Sequence, residues 1–363
     1  MRISKISPLN QKLLWTCIVL LHLLVVSCTT ADVKESVEQT ADGSEMLINY
    51  LETGGDYINS KQAPAIMTAP ELHAMLDRNI LIIDLREHDQ YASGHIEGAV
   101  NVAPGDLVDY FRKTIDASAF ERIVFTCSRG QLSAYVTGMM RQLGYDNTFS
   151  VRYGLNAWSL DAARSGWDLT VGNGLADMLE STSYAKSPST SLPKVITSKK
   201  TGYDIASERA DSLLKLPPTA FLLSVEDLMA GKQDYYLVNY WTEEQYNHHG
   251  HLPRAVQYTP KQSLGRQTAL LSLPTDKPVI VYCNNGHHSA HVAAYLRLIG
   301  YQAYSLIYGA NSFMIDVLRK KETNPHASWG ESQKNDFPLV SSEQLKSSTN
   351  TPSVEIKSAA GGC

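Results

Sequence analysis

Short apolar runs alternate with amphipathic stretches along most of the chain. The segments ILIID (80–84), RIVFTC (122–127) and TFSV (148–151) are continuous apolar or β-branched runs. That pattern predicts strands buried on both faces of a parallel sheet. Between two of them, SAYVTGMMRQLG places Tyr135, Met139 and Leu143 four residues apart, a helical stripe closed by Gly144. Strand, turn, helix and strand in repetition predict an α/β fold, a mostly parallel sheet with helices on both faces. Further upstream, EMLINYLETGGDYINS predicts a short helix stopped at Gly54 and Gly55.

The pattern occurs twice. Gly94-His95 matches Gly250-His251 and Cys127 matches Cys283, both at an offset of 156 residues. Tyr153-Gly154 matches Tyr308-Gly309 at 155. One domain is therefore present in two copies. The expected division is a signal segment at 1–27, a tether with the short helix at 28–60, and a first copy at 61–172. A Ser-, Thr-, Lys- and Pro-rich linker draped on the surface follows at 173–215, then a diverged second copy at 216–325. A flexible C-terminal tail at 326–363 ends the chain.

Composition changes this picture little. The 363 residues are 43% hydrophobic and 19% charged, with a net charge of −5. Nothing in that balance points to nucleic acid as a partner. The five cysteines, Cys17, Cys28, Cys127, Cys283 and Cys363, form no CxxC pair, which excludes a dense disulfide framework or a zinc spacing. The N-terminus does matter. Arg2, Lys5 and Lys12 precede LLWTCIVLLHLLVV, an apolar stretch too short for a comfortable membrane span. The Ser27-Cys28 pair at its end resembles the lipobox of bacterial lipoproteins. That resemblance implies cleavage before Cys28, lipidation of Cys28, and a body anchored at the cell envelope facing the periplasm. Thr29, which is not acidic, favours the outer membrane.

The chemistry sits in two matching loops, CSRGQLSA (127–134) and CNNGHHSA (283–290). Each cysteine ends a strand and a helix begins a few residues later. In a parallel sheet that is the C-terminal edge, where ligands bind. Gly130 permits a tight backbone and Ser133 is positioned to cap the helix. Such a loop turns several N–H groups inward, with a helix N-terminus behind them, which would lower the thiol pKa. A lone cysteine at a strand end is more often a core thiol; repetition of C-x-x-G-x-x-S-A in two diverged copies argues against that.

The segments DLREHDQYASGHIEGAVNVAP, CSRGQLSA and GYDNTFSVRYGLNAW resemble the rhodanese family of sulfurtransferases. The second copy keeps Cys283, Gly286, Ser289 and Gly250-His251, but has Asn239 and Trp241 where the first has Asp84 and Arg86. The resemblance implies two rhodanese-like domains. It also implies ping-pong sulfur transfer from a donor such as thiosulfate, through a cysteine persulfide, to a thiol or cyanide acceptor. The catalytic residues would be Cys127 and Cys283. The substrate-binding loops would be Ser128, Arg129, Gly130, Gln131, Leu132 and Ser133 in the first copy. In the second they would be Asn284, Asn285, Gly286, His287, His288 and Ser289. No metal or organic cofactor is implied. Related phosphatases use a loop one residue longer that ends in Arg; the six-residue loops here lack it, which argues against phosphatase or arsenate reductase activity. Arg129 suits a thiosulfate donor and Asn285 a mercaptopyruvate-like one. Gln90 and Gln245 stand where both branches place an Arg.

Six histidines, His248, His249, His251, His287, His288 and His291, fall near the second loop. They predict a pocket that charges between pH 6 and 8. Cys363, on the flexible AAGG run, is either an idle tail thiol or a swinging sulfur acceptor. Two competing readings remain: a non-catalytic sensing or docking module, and a redox thiol protein cycling through disulfides.

Overall fold

The computed structural model describes residues 40–231 and 234–343. The signal segment, Cys28 with its lipidation, and Cys363 lie outside these residues. Strand β1 (Ala41–Asp42) leads into helix α1 (Ser44–Thr53), which ends at Gly54. The first copy then supplies β2 (Ile66–Met67), β3 (Ile80–Asp84), β4 (Val100–Asn101) and β5 (Arg122–Thr126). Helix α2 (Gln131–Gln142) and strand β6 (Thr148–Val151) complete it. Strand β7 (Ile196–Thr197) and helix α3 (Gly202–Leu214) connect the copies. The second copy contains β8 (Leu222–Leu223), β9 (Tyr236–Asn239), α4 (Glu243–His249), β10 (Val256–Gln257) and β11 (Val279–Tyr282). It closes with α5 (His287–Leu298), β12 (Ala303–Leu306) and α6 (Ile315–Lys321).

The sheets run β2-β6-β5-β3-β4 and β10-β9-β11-β12-β8, every pairing within them parallel. Read from each copy's first strand, the two orders are the same. Alternation along the strands divides the apolar residues between two faces. Ile83, Phe125, Val238 and Val281 enter one core shared by both copies, together with α2, α5, α1 and α3. Ile82, Val124 and Val151 face a second core holding Trp158 and Trp167, and Leu237, Ile280 and Leu306 face a third.

Helices α2 and α5 pack directly against one another and join the copies. Gly138 makes this possible. A Cβ there would lie 3.1 Å from His291 Cα and 3.3 Å from Ala294 Cβ. Gly138→Leu is therefore expected to destabilise the protein by about 1–3 kcal/mol through overpacking. Urea unfolding measures this; an unchanged midpoint would mean the seam is looser than described.

The Asp84/Arg86 pair is scaffold. Arg86 donates from Nε and Nη2 to the Asp84 carboxylate at 3.0 and 2.7 Å, and from Nη2 to the Gly94 carbonyl at 2.6 Å. This ties the end of β3 to the loop carrying His95. That histidine stacks on Tyr91, as His251 stacks on Tyr246, both with ring centroids 3.8 Å apart.

Two expectations need correction. The segment 173–215 is more than a surface linker. Glu180 and His251 exchange backbone hydrogen bonds, β7 pairs with β1, and α3 buries Ile205, Ala206, Ala210 and Leu214 in the shared core. The stretch from 326 to 343 is also not a free tail. Trp329 is buried, Phe337 stacks on His73 with centroids 4.0 Å apart, and Val340 exchanges backbone hydrogen bonds with His95. Apolar residues spaced through a polar segment dock it against the first copy.

Candidate active site

Both cysteine loops curl around their sulfur. Cys127 Sγ accepts hydrogen bonds from the N–H groups of Gly130 at 3.2 Å and Ser133 at 3.4 Å. Cys283 Sγ accepts from Ser289 N–H at 3.4 Å. The N-cap residues just before the helices are Gly130 and Gly286, both left-handed, with φ of 88° and 81°. Ser133 and Ser289 do not cap the helices as expected. Their hydroxyls donate back to the carbonyls of Gly130 and Gly286 at 3.0 and 3.1 Å and stand beside the thiols. The loop carbonyls are held too: Cys127 O accepts from Leu155 N–H and Cys283 O from Ala310 N–H, both at 2.9 Å.

The loops sit back to back, and one side chain from each crosses to the other copy. Gln131 Oε1 accepts the Tyr308 N–H at 2.7 Å, and Gln131 Nε2 donates to Leu306 O at 3.2 Å. His287, at the matching position, accepts the Tyr153 N–H on Nε2 at 2.9 Å. Tyr153 and Tyr308 both have positive φ, 61° and 60°, in the chain reversal after the last strand. The glycines leave room for these crossings. A Cβ on Gly130 would lie 2.3 Å from His287 Nε2, and one on Gly286 would lie 2.3 Å from Gln131 Nε2. Gln131 and His287, expected in the substrate cradles, thus spend their side chains on the interface.

The other loop residues separate by copy. Arg129 is exposed, its guanidinium 5.7 Å from the Tyr308 ring centroid and its carbonyl accepting from Trp167 Nε1. Ser128 is partly buried and its carbonyl accepts the Asn156 N–H. Leu132 faces a cavity of about 450 Å³ bounded also by Leu85, Tyr135, Leu214 and Phe221, and Cys127 is not in its wall. In the second copy, Cys283, Asn284, Asn285 and His288 together line a cavity of about 240 Å³. Accessible area does not separate the cysteines, 4% and 3% exposed; the cavity does.

Gln245, at the position where the sulfurtransferase branches place an Arg, lines this cavity. Several other cavity residues were not anticipated: Trp241 comes from the β9–α4 region, and Asn324 and His326 from the segment after α6. Arg152 comes from the first copy. Its matching position in the second copy is Ile307, so an arginine within Val151-Arg152-Tyr153 was the available signal. Asn285 Nδ2 and Tyr153 Oη donate to the His326 carbonyl at 3.1 and 2.8 Å and fix the wall. Behind it, Glu322 accepts from Gln245 Nε2 at 2.7 Å and lies 3.2 Å from His249 Nε2. Burial opposes ionisation of Glu322, but hydrogen bonds from His249, the Asn324 N–H and Gln245 outweigh it and hold its pKa down to about 2.

The histidines do not form a pocket that charges between pH 6 and 8. Of the six, only His288 lines the Cys283 cavity. Desolvation is the largest influence on His287, His288 and His291, reinforced by like charge from Arg152 on the first two. His288 is pushed down to about 3, His291 to about 4, and His287 falls well below its ordinary value. All three are neutral across that range. Among the described residues, no three His, Cys, Asp or Glu side chains converge as a metal site would require.

Two parallel α/β domains with matching cysteine loops define a tandem thiol protein. The family model "Rhodanese-like domain" matches residues 68–161 and 224–316, just over half of the chain. The chain belongs to the rhodanese-like domain family. A tRNA uridine(34) hydroxylase of Streptococcus pyogenes is 28% identical over 126 residues, covering 33% of this chain and 36% of that protein. The chain therefore spans about a third of the length of the curated relatives it matches. A thiosulfate sulfurtransferase from Pseudomonas aeruginosa is 18% identical, covering 74% of this chain and 48% of its own, with a TM-score of 0.27. A rhodanese-like domain protein from Staphylococcus aureus is 23% identical, covering 26% of this chain and 90% of its own, with a TM-score of 0.24.

Proposed function

We propose that the chain is a sulfurtransferase that carries sulfane sulfur as a persulfide, with Cys283 the principal site and Cys127 a second. The observation that carries this reading is the position of Cys283: its sulfur adjoins a cavity of about 240 Å³, with the Ser289 N–H behind it. The Cys283 thiolate attacks the outer sulfur of thiosulfate. The sulfur–sulfur bond of the donor breaks, sulfite leaves with its electron pair, and Cys283–S–S⁻ remains. Cyanide or a thiolate then attacks the outer persulfide sulfur, and the cysteine thiolate departs. This is covalent catalysis in two half-reactions. The Ser289 N–H is aimed at the Cys283 sulfur, where negative charge develops.

Mass spectrometry of the full chain after brief exposure to thiosulfate tests this. One added sulfur on the peptide containing Cys283, lost again on adding cyanide, is the expected result. Unlabelled cysteines that still alkylate would exclude thiosulfate. Failure with mercaptopyruvate and polysulfide as well would leave the non-catalytic docking module as the better reading.

A further inference from the structure

The resemblance to sulfurtransferases places an arginine where this chain has Gln245. In the structure Gln245 lines the Cys283 cavity, but both ends of its amide are engaged. Nε2 donates to Glu322, and Oε1 accepts from Thr242 N–H at 3.1 Å in the cap of α4. A neutral amide so held offers an anion little. Among the described residues, no Asp or Glu lines this cavity. Glu322, the carboxylate behind it, is turned onto His249, Gln245 and the N–H groups of Thr323 and Asn324.

Among the described residues, Arg152 is the one Lys or Arg that reaches the cavity, and it belongs to the other copy. Arg152 follows β6 of the first sheet and lines the cavity beside Cys283. Its Nε is buried without a hydrogen-bond partner, and among the described residues its guanidinium forms no ion pair. Glu71, the acid that acts on it from a distance, is itself engaged by Thr68, whose N–H donates to Glu71 Oε2 at 2.6 Å. A largely buried guanidinium without a counter-ion is costly and would be stabilised by an anion in the cavity. Its planar fork suits a sulfonate or carboxylate bidentately.

We infer that Arg152 of the first copy is the anion-binding residue of the Cys283 site in the second, and that its ligand is a small anionic sulfur donor. This rests on the sulfurtransferase reading and adds the missing cation. The cavity volume, equal to roughly eight waters at ~30 Å³ each, admits thiosulfate or a short thiol-bearing oxo acid. Neither copy alone contains the site: the nucleophile is on one and the charge on the other.

The test compares the full chain with Arg152→Met and Arg152→Lys. Cys283 is alkylated with iodoacetate, an anion, and iodoacetamide, its neutral counterpart. Wild type is expected to favour iodoacetate relative to free cysteine. Arg152→Met should lose that preference roughly 10- to 150-fold, the range for one hydrogen bond to a charged group, and Arg152→Lys should keep part of it. Loss of the charge beside the sulfur slows both reagents, so the iodoacetate-to-iodoacetamide rate ratio is the readout. With thiosulfate, Arg152→Met should act chiefly by raising KM. Sulfate should protect Cys283 of wild type from iodoacetamide, a reading that needs no variant to fold. Equal preference in wild type and Arg152→Met, or no protection by sulfate, would overturn the assignment. Anion preference lost with Arg152, but no persulfide formed by wild type, would keep the anion site and overturn the sulfur-transfer reading.

Discussion

Cys283→Ser abolishes sulfur transfer, by at least about 10³-fold, while Cys127→Ser leaves most of it; this is the expected outcome of paired substitutions assayed by thiocyanate release. A serine hydroxyl cannot hold a persulfide, and loss of the nucleophile in an otherwise intact site is among the largest single effects in enzymes. The substitution changes little else. Ser289 N–H can still donate to an oxygen at this position, so unfolding midpoints should move little. The asymmetry between the cysteines rests on their surroundings. Cys283 adjoins the cavity that Arg152 reaches, whereas the comparable cavity of the first copy is bounded by Leu85, Leu132 and Phe221 without Cys127. Equal losses from the two substitutions would mean that both loops turn over. A loss confined to Cys127→Ser would reverse the assignment.

What the sequence made legible was local. The strands at 80–84, 122–126 and 148–151 follow from runs of β-branched and apolar residues, and the tandem copies follow from matched cysteines and glycines. The loop positions of Cys127 and Cys283 were readable because a strand, a glycine and a helix stand at fixed spacings around each. What depended on how the copies meet was not legible. Gln131 and His287 look like cradle residues in one dimension and become reciprocal contacts only once the loops sit back to back. Arg152 lies 131 residues from the cysteine it accompanies, and no periodicity connects them. The protonation of the histidines turned on burial in the α2–α5 seam, where Gly138 lets His291 approach. Residue type alone predicted a charge change at physiological pH that desolvation removes.

That same burial gives the protein a steep acid limit. His287 and His291 are 0% and 2% exposed, and their pKa values in the folded chain lie below the ordinary 6.5, His291 at about 4. Below pH 6.5 the unfolded chain therefore binds protons that the folded chain refuses, so stability rises with pH in this window. The full contribution is present above about pH 6.5 and is lost as the pH falls toward 4. A histidine that stays neutral in the folded chain contributes a slope of about 1.4 kcal/mol per pH unit, so His291 removes about 2–3 kcal/mol by pH 4.5, and His287 acts in the same direction. That is a large share of the whole stability of many domains. The seam is where the loss is felt. His287 Nε2 holds the Tyr153 N–H, so protonation there breaks one of the two reciprocal contacts between the loops. His291 gives its Nδ1 hydrogen to the His287 carbonyl, and its Nε2 is buried without a partner for a second proton. Urea midpoints measured from pH 7.5 to 4.5 should fall along this slope, and His291→Leu should flatten it by about half. Most carboxylates titrate below this window, so midpoints that stay level down to pH 5 would show that the seam admits water and that these histidines charge without cost.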